Sequence, residues 1–248
     1  MFPFIRVTSS ILIPTYYFVV SAAIILALFW ITARAKKYNL SHKITLDLSL
    51  IIMVCGFIGA RLLHVFYENF AYYQEDYSRV LYFWDGGFVF FGGALLAALF
   101  GVLFLEWKAP NDDERYLDLF APVISLTYAI GRLGCLFAGC CYGKSCELPW
   151  AISGRHPTQI YASIWELGVV LILIGIESIS SLHRRPALFR RPGSIFYLWM
   201  ILHGLGRLLM ESFREDFRGP SLGLSISSWI SLAVIALGLV LMFRRKPA

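Results

Sequence analysis

The sequence predicts an all-α, polytopic membrane protein with about seven transmembrane helices, and three observations carry that prediction. Hydrophobic residues make up 58% of the 248 and charged residues only 15%, where a soluble domain would carry roughly 25% charged. Mean hydropathy is +0.66. The apolar residues run in continuous stretches rather than alternating, which selects helices over a barrel.

Seven stretches are long enough to cross roughly 30 Å of hydrocarbon at about 1.5 Å per residue. They lie near 11–32, 45–67, 87–105, 117–142, 160–180, 193–213 and 222–243. The first follows a single basic residue, Arg6, and lacks a small-residue cleavage site, so it reads as a retained helix rather than a signal peptide. The second carries Arg61 near its end. The third sits among Gly86, Gly87, Gly92 and Gly93, which permit close helix approach. Arg132 interrupts the fourth, Glu166 the fifth, and His203, Arg207 and Glu211 the sixth; the seventh is uninterrupted. No repeat, low-complexity tract or long polar linker divides them, so one membrane domain over 1–248 is expected.

Lysine and arginine in the short loops set the orientation. One side holds 13 of the 22 basic residues: Arg34, Lys36, Lys37 and Lys43, then Lys108 and Arg115, then Arg184, Arg185, Arg190 and Arg191, and Arg244, Arg245 and Lys246 in the tail. The other side holds 6, namely Arg6, Arg79, Lys144, Arg155, Arg214 and Arg218. This places the N-terminus outside and the C-terminus in the cytoplasm. The net charge of +6 is explained by these clusters, and no nucleic-acid partner is expected.

Arg61, Arg132 and Arg207 remain, each within an apolar run and each in the outer half of its helix. A charge at that depth costs several kcal/mol and marks a functional site by default. The competing reading is snorkelling or private pairing with an acid. Glu211 lies four residues after Arg207 on the same face, so an internal pair is expected. Glu166 and Tyr17 fall at the same outer level, and His203 stands one turn before Arg207. Three arginines would repel a cation, so the cluster fits a phosphate, with no metal and no cofactor.

Several words of the sequence resemble the prolipoprotein diacylglyceryl transferase family: GRLGCLFAGCCYG at 131–143, RHPTQIY at 155–161, HGLGRLLMESFRE at 203–215, GFIGARL at 56–62 and GGFVFFGGALL at 86–96. The correspondence runs in order over nearly the whole chain. It implies transfer of a diacylglyceryl group from phosphatidylglycerol, or another anionic phospholipid, to the lipobox cysteine of a preprolipoprotein, with glycerol phosphate leaving. The setting implied is the bacterial inner membrane, among bilayer lipids, with the site facing the outer leaflet. Arg132 and Arg207 would surround the phosphate, Glu211 would partner Arg207, and Tyr17 matches an important N-terminal tyrosine. Gly131, Gly134 and Gly143 match signature glycines. Arg61, Arg155, His156, Gln159 and Glu166 join them as candidate substrate-binding residues.

The family signature reads approximately G-R-x-G-N-F-x-N-x-E-x-x-G, and here Cys135, Ala138 and Cys140 replace its two asparagines and its glutamate. Phe91 stands where the family has a histidine, and His203 where it has a tyrosine. His203 is then the candidate base, against the plain reading of a packed histidine. Cys140 is a candidate nucleophile from its position. A bridge from Cys140 or Cys141 to Cys146 is expected on an oxidising face, and a zinc site is possible by count, although the spacing lacks the paired C-x-x-C of common zinc sites. Two alternatives stay open: a phospholipid-dependent transferase with another acceptor, and a membrane thiol oxidoreductase built on the outer cysteines.

Overall fold

The computed structural model describes residues 4–6, 12–179, 186–214 and 223–244. Arg184, Arg185, Arg218, Arg245 and Lys246 of the charge asymmetry lie outside the described residues. So do Glu215 and the outermost ends of the expected spans at 11, 180 and 222.

Among the described residues the eight α-helices are α1 (Thr15–Lys37), α2 (His42–Leu63), α3 (Phe70–Glu75), α4 (Phe90–Lys108), α5 (Asp113–Ala138), α6 (Thr158–Ser178), α7 (Ser194–Ser212) and α8 (Ile226–Phe243). Six of them, α1, α2, α4, α5, α6 and α8, are long and apolar enough to cross a bilayer. The remaining expected span is α7, a helix of 19 residues whose His203, Arg207 and Glu211 break its apolar run. A short antiparallel pairing of β1 (Phe4–Arg6) with β2 (Leu12–Pro14) precedes α1. It was not expected, and α1 accordingly begins at Thr15.

Burial runs opposite to that of a water-soluble protein. Phe29, Leu95 and Leu171 are more than 70% exposed, while Ser125, Gln159 and Glu166 are at most 2% exposed. Apolar side chains that face outward need a hydrocarbon solvent, and the polar groups hide inside.

The helices divide into two compact units, Met1–Ile31 with Leu117–Ala248, and Thr32–Tyr116. In the second unit α2 packs on α4 through glycines. A Cβ on Gly93 would lie 2.5 Å from the Gly56 carbonyl oxygen, and Gly59 and Gly92 meet each other's carbonyls equally closely. Small residues let the backbones touch, and dispersion then holds helices that lipid does not drive together. Arg61, buried at the end of α2, donates through Nε to Val80 O and through Nη1 to Gly86 O and Gly87 O. Its Nη2 donates to Arg79 O and Tyr82 O.

In the first unit, Asp118 of α5 accepts from the amides of Gly193 (2.8 Å) and Phe196 (2.9 Å), capping the first turn of α7. Gly206 of α7 makes room for the Trp165 indole of α6, whose Nε1 donates to Leu202 O at 3.0 Å. Gly204 and Gly238 bring α7 and α8 together in the same way. Ala121, Val169, Leu173 and Ile195 form the apolar core where α5, α6 and α7 meet.

Candidate active site

One face of α5 carries Ser125, Tyr128, Arg132 and Cys135, at spacings of three and four residues that stack them in a stripe. Tyr128 is the hub. The Arg132 guanidinium carbon lies 5.9 Å from its ring centroid. Arg207 of α7 donates through Nη1 to its hydroxyl at 3.3 Å and through Nη2 to Ser227 Oγ of α8 at 2.7 Å. The His203 ring stands edge-on to it at 5.0 Å. Arg132 and Arg207, 75 residues apart in sequence, therefore converge on one phenol.

The two guanidinium groups differ in what remains free. Arg132 is 9% exposed, and its Nε and Nη2 are buried without a partner. Five N–H donors are fixed in a planar fork whose geometry matches phosphate oxygens, so orphaned donors of this kind define an anion site.

The Arg207–Glu211 pair does not form. Among the described residues no ion pair joins them, and Glu211 Oε2 is buried without a partner. The order arginine then glutamate is the weaker arrangement at this spacing, because helical side chains lean toward the N-terminus. Arg207 leans onto Tyr128 and Ser227 instead. Glu166, expected at the substrate, turns to Ser125 and His203. It is buried, accepts a hydrogen bond from Ser125 Oγ, and its Oε1 lies 2.7 Å from His203 Nδ1. A carboxylate beside Nδ1 orients the ring and leaves its Nε2 edge for other partners. Trp199 stacks on the same imidazole at 5.3 Å.

Past Arg132 the helix ends in a Schellman motif. Gly139 is left-handed (φ 76°), its amide bonds Leu136 O at 3.2 Å, and the Cys140 amide bonds Cys135 O at 3.1 Å. This closure folds Cys140 back over Cys135. Cys141, also left-handed (φ 65°), turns its side chain to the same point. The three sulfurs lie within 4.8 Å of one another. The expected bridge to Cys146 is absent, because all five cysteines are free thiols. Cys146 is held away by its amide bond to Gly154 O at 2.9 Å.

The 155–161 segment clamps this loop. Thr158 Oγ1 donates to Cys141 O at 2.6 Å and Gln159 Nε2 to Cys140 O. Gln159, expected to hold substrate, gives Nε2 to backbone while its Oε1 is buried without a partner, and His156 packs between Tyr161 and Phe213. A Cβ on Gly143 would meet Phe213 O at 2.5 Å, so this signature glycine is a packing requirement. Gly134 takes the Tyr16 ring, while Gly131 faces open space. Arg155 reaches a cavity of ≈ 510 Å³ lined with it by Gly139, Cys141, Tyr142, Ser153 and Arg214.

Two expected site residues stand differently. Arg61 uses all five donors on the 79–87 backbone, leaving none for a phosphate. Tyr17 is 50% exposed, and its neighbour Tyr16 is the ring packed on α5. Tyr128, Ser125, Ser227 and Tyr16 were missed. The 3-4-3 polar spacing on α5 was the available signal for the first two; nothing in the sequence marks Ser227.

The prolipoprotein diacylglyceryl transferase family model matches residues 4–244. This chain belongs to that family. The phosphatidylglycerol–prolipoprotein diacylglyceryl transferase of Clostridium tetani is 30% identical over 238 residues, covering 90% of each chain. Those of Streptococcus pneumoniae (strain Hungary19A-6) and Streptococcus pyogenes serotype M5 are also 30% identical, over 94% and 93% of this chain and 90% of their own. With its membrane-length helices, this family member is a multi-pass bacterial membrane transferase.

Proposed function

We propose that this transferase moves a diacylglyceryl group from phosphatidylglycerol to the lipobox cysteine thiol of a preprolipoprotein and releases glycerol phosphate. The observation that carries the reading is Arg132, buried with two donor nitrogens unspent, beside an Arg207 fixed by Tyr128 and Ser227. An anionic headgroup completes that arrangement; a neutral one leaves buried donors unpaired at about 1–3 kcal/mol each. As the glycerol carbon–oxygen bond breaks, negative charge grows on the phosphate. Donors already aimed at it stabilise the transition state more than the ground state. His203, oriented by Glu166, is the candidate acceptor of the thiol proton.

The loop charges support a site open to the outer leaflet of the inner membrane, with the N-terminus outside. Incubation of the purified protein with phosphatidylglycerol and a lipobox peptide tests the reaction. Glycerol phosphate release with a matching gain of lipid mass on the peptide is expected. Release without gain on the peptide would refute the acceptor, and no release would refute the donor.

A further inference from the structure

We infer that Cys135, Cys140 and Cys141 form a zinc(II) site with an open fourth position, and that this position takes the acceptor peptide's thiol as a thiolate. The inference rests on the transfer reading above and deepens it to the nucleophile.

The backbone has already assembled the site. A Schellman closure brings Cys135 and Cys140 together, the left-handed turn at Cys141 adds the third thiol, and Thr158 and Gln159 lock the two carbonyls between them. The sulfurs lie within 4.8 Å of one another. Tetrahedral zinc with Zn–S near 2.3 Å needs them about 3.8 Å apart, a closure that side-chain rotation supplies. Among the described residues no fourth histidine, cysteine or carboxylate joins the group. Three protein ligands and a vacancy distinguish catalytic zinc from structural zinc, which closes its own shell. Thiolates select soft or borderline ions over magnesium or calcium.

Access and charge agree with that assignment. Cys140 is exposed and Cys141 lines the ≈ 510 Å³ cavity, so a peptide thiol can reach the metal. Three thiolates and one zinc ion carry a net charge of −1, which Arg132, one turn before Cys135, attracts rather than repels. The same Arg132 faces the phosphate in the transfer reading, which puts nucleophile and leaving group at adjacent positions.

A free thiol is mostly protonated at neutral pH, with a pKa of about 8.5, whereas one bound to zinc is deprotonated outright. The acceptor thiol binds zinc and gives its proton, through water in the cavity, to His203, the base of the transfer reading. Its sulfur pair then attacks the glycerol carbon; the carbon–sulfur bond forms as the carbon–oxygen bond breaks. That electron pair leaves on glycerol phosphate, against Arg132 and Arg207. The product is a neutral thioether, a weak ligand that departs. Nothing is oxidised or reduced.

The test uses the full chain in detergent, stripped by chelation and titrated with cobalt(II) as a spectroscopic stand-in for zinc. One ion per chain is expected, with a thiolate-to-cobalt absorption that grows when a lipobox peptide is added and not with its serine analogue. Cys140→Ser and Cys141→Ser should weaken binding at least 100-fold, while Cys55→Ser and Cys146→Ser should not. Chelation should abolish transfer and zinc restore it. Absence of stoichiometric metal, a spectrum blind to the peptide thiol, a disulfide between two of the three cysteines, or full transfer after chelation would each overturn the inference. A peptide-dependent spectrum without glycerol phosphate release would sink the transfer reading and leave the metal site standing.

Discussion

Replacing Arg132 by methionine should make the protein more stable and inactive at once. Two of the guanidinium nitrogens are buried without partners, and each unsatisfied buried donor costs about 1–3 kcal/mol. Together they burden the lipid-free state by about 2–6 kcal/mol. Methionine keeps most of the stem packing, and a swap of similar volume costs at most about 1.5 kcal/mol. The net gain is about 0.5–6 kcal/mol, read at about 2–4 °C per kcal/mol in a chain of this size. Transfer should fall about 10²–10³-fold, the usual loss when one preorganised donor to a developing oxyanion is removed. Thermal unfolding in a nonionic detergent free of anionic lipid reads the first effect, and glycerol phosphate release the second. Phosphatidylglycerol should raise the midpoint of the parent protein, by about 2.7 kcal/mol at a hundred times Kd, and leave the variant unmoved. A lower midpoint for Arg132→Met would show the guanidinium already satisfied without lipid. Undiminished transfer would show that it grips no phosphate. Either result refutes the reasoning.

Arg61→Ala should destabilise by about 2–4 kcal/mol through loss of its backbone hydrogen bonds, with faster amide exchange over 79–88 and little direct change in lipid KM. Gly143→Ala should cost about 1–3 kcal/mol by overpacking, measured by thermal unfolding, because its Cβ has no room. Gly131→Ala, with open space around it, should gain up to about 1 kcal/mol of helix propensity and raise KM for the lipid if the donor fills that space. Tyr16→Ala should reduce transfer more than Tyr17→Ala, because Tyr16 packs on Gly134 beside the cysteine turn while Tyr17 is half exposed. Equal loss in the two would restore Tyr17 to the site.

Arg132 and Arg207 were legible as a pair because an arginine inside an apolar run has few explanations, and the structure joins them at Tyr128. Arg61 gave the same signal and turned out to hold a loop, since depth in a helix says nothing about which carbonyls are within reach. The Glu211 pairing failed for a similar reason. Spacing placed it on the right face, but Ser227, twenty residues away on another helix, competed better for the guanidinium. Cysteine spacing left the grouping open: C-x₄-C-C has no familiar ligand pattern, and the left-handed turns at Gly139 and Cys141 bring its sulfurs together.

From the sequence alone followed the membrane as solvent, the helical spans, the family and the two buried arginines. Each depends on composition or local period, and a chain carries those whatever its tertiary contacts. Partner choice was decided by the folded structure: which guanidinium is spent on backbone, which carboxylate orients His203, which thiols meet. Those outcomes are competitions among groups distant in sequence, settled by packing distances of a few ångströms that no linear spacing encodes.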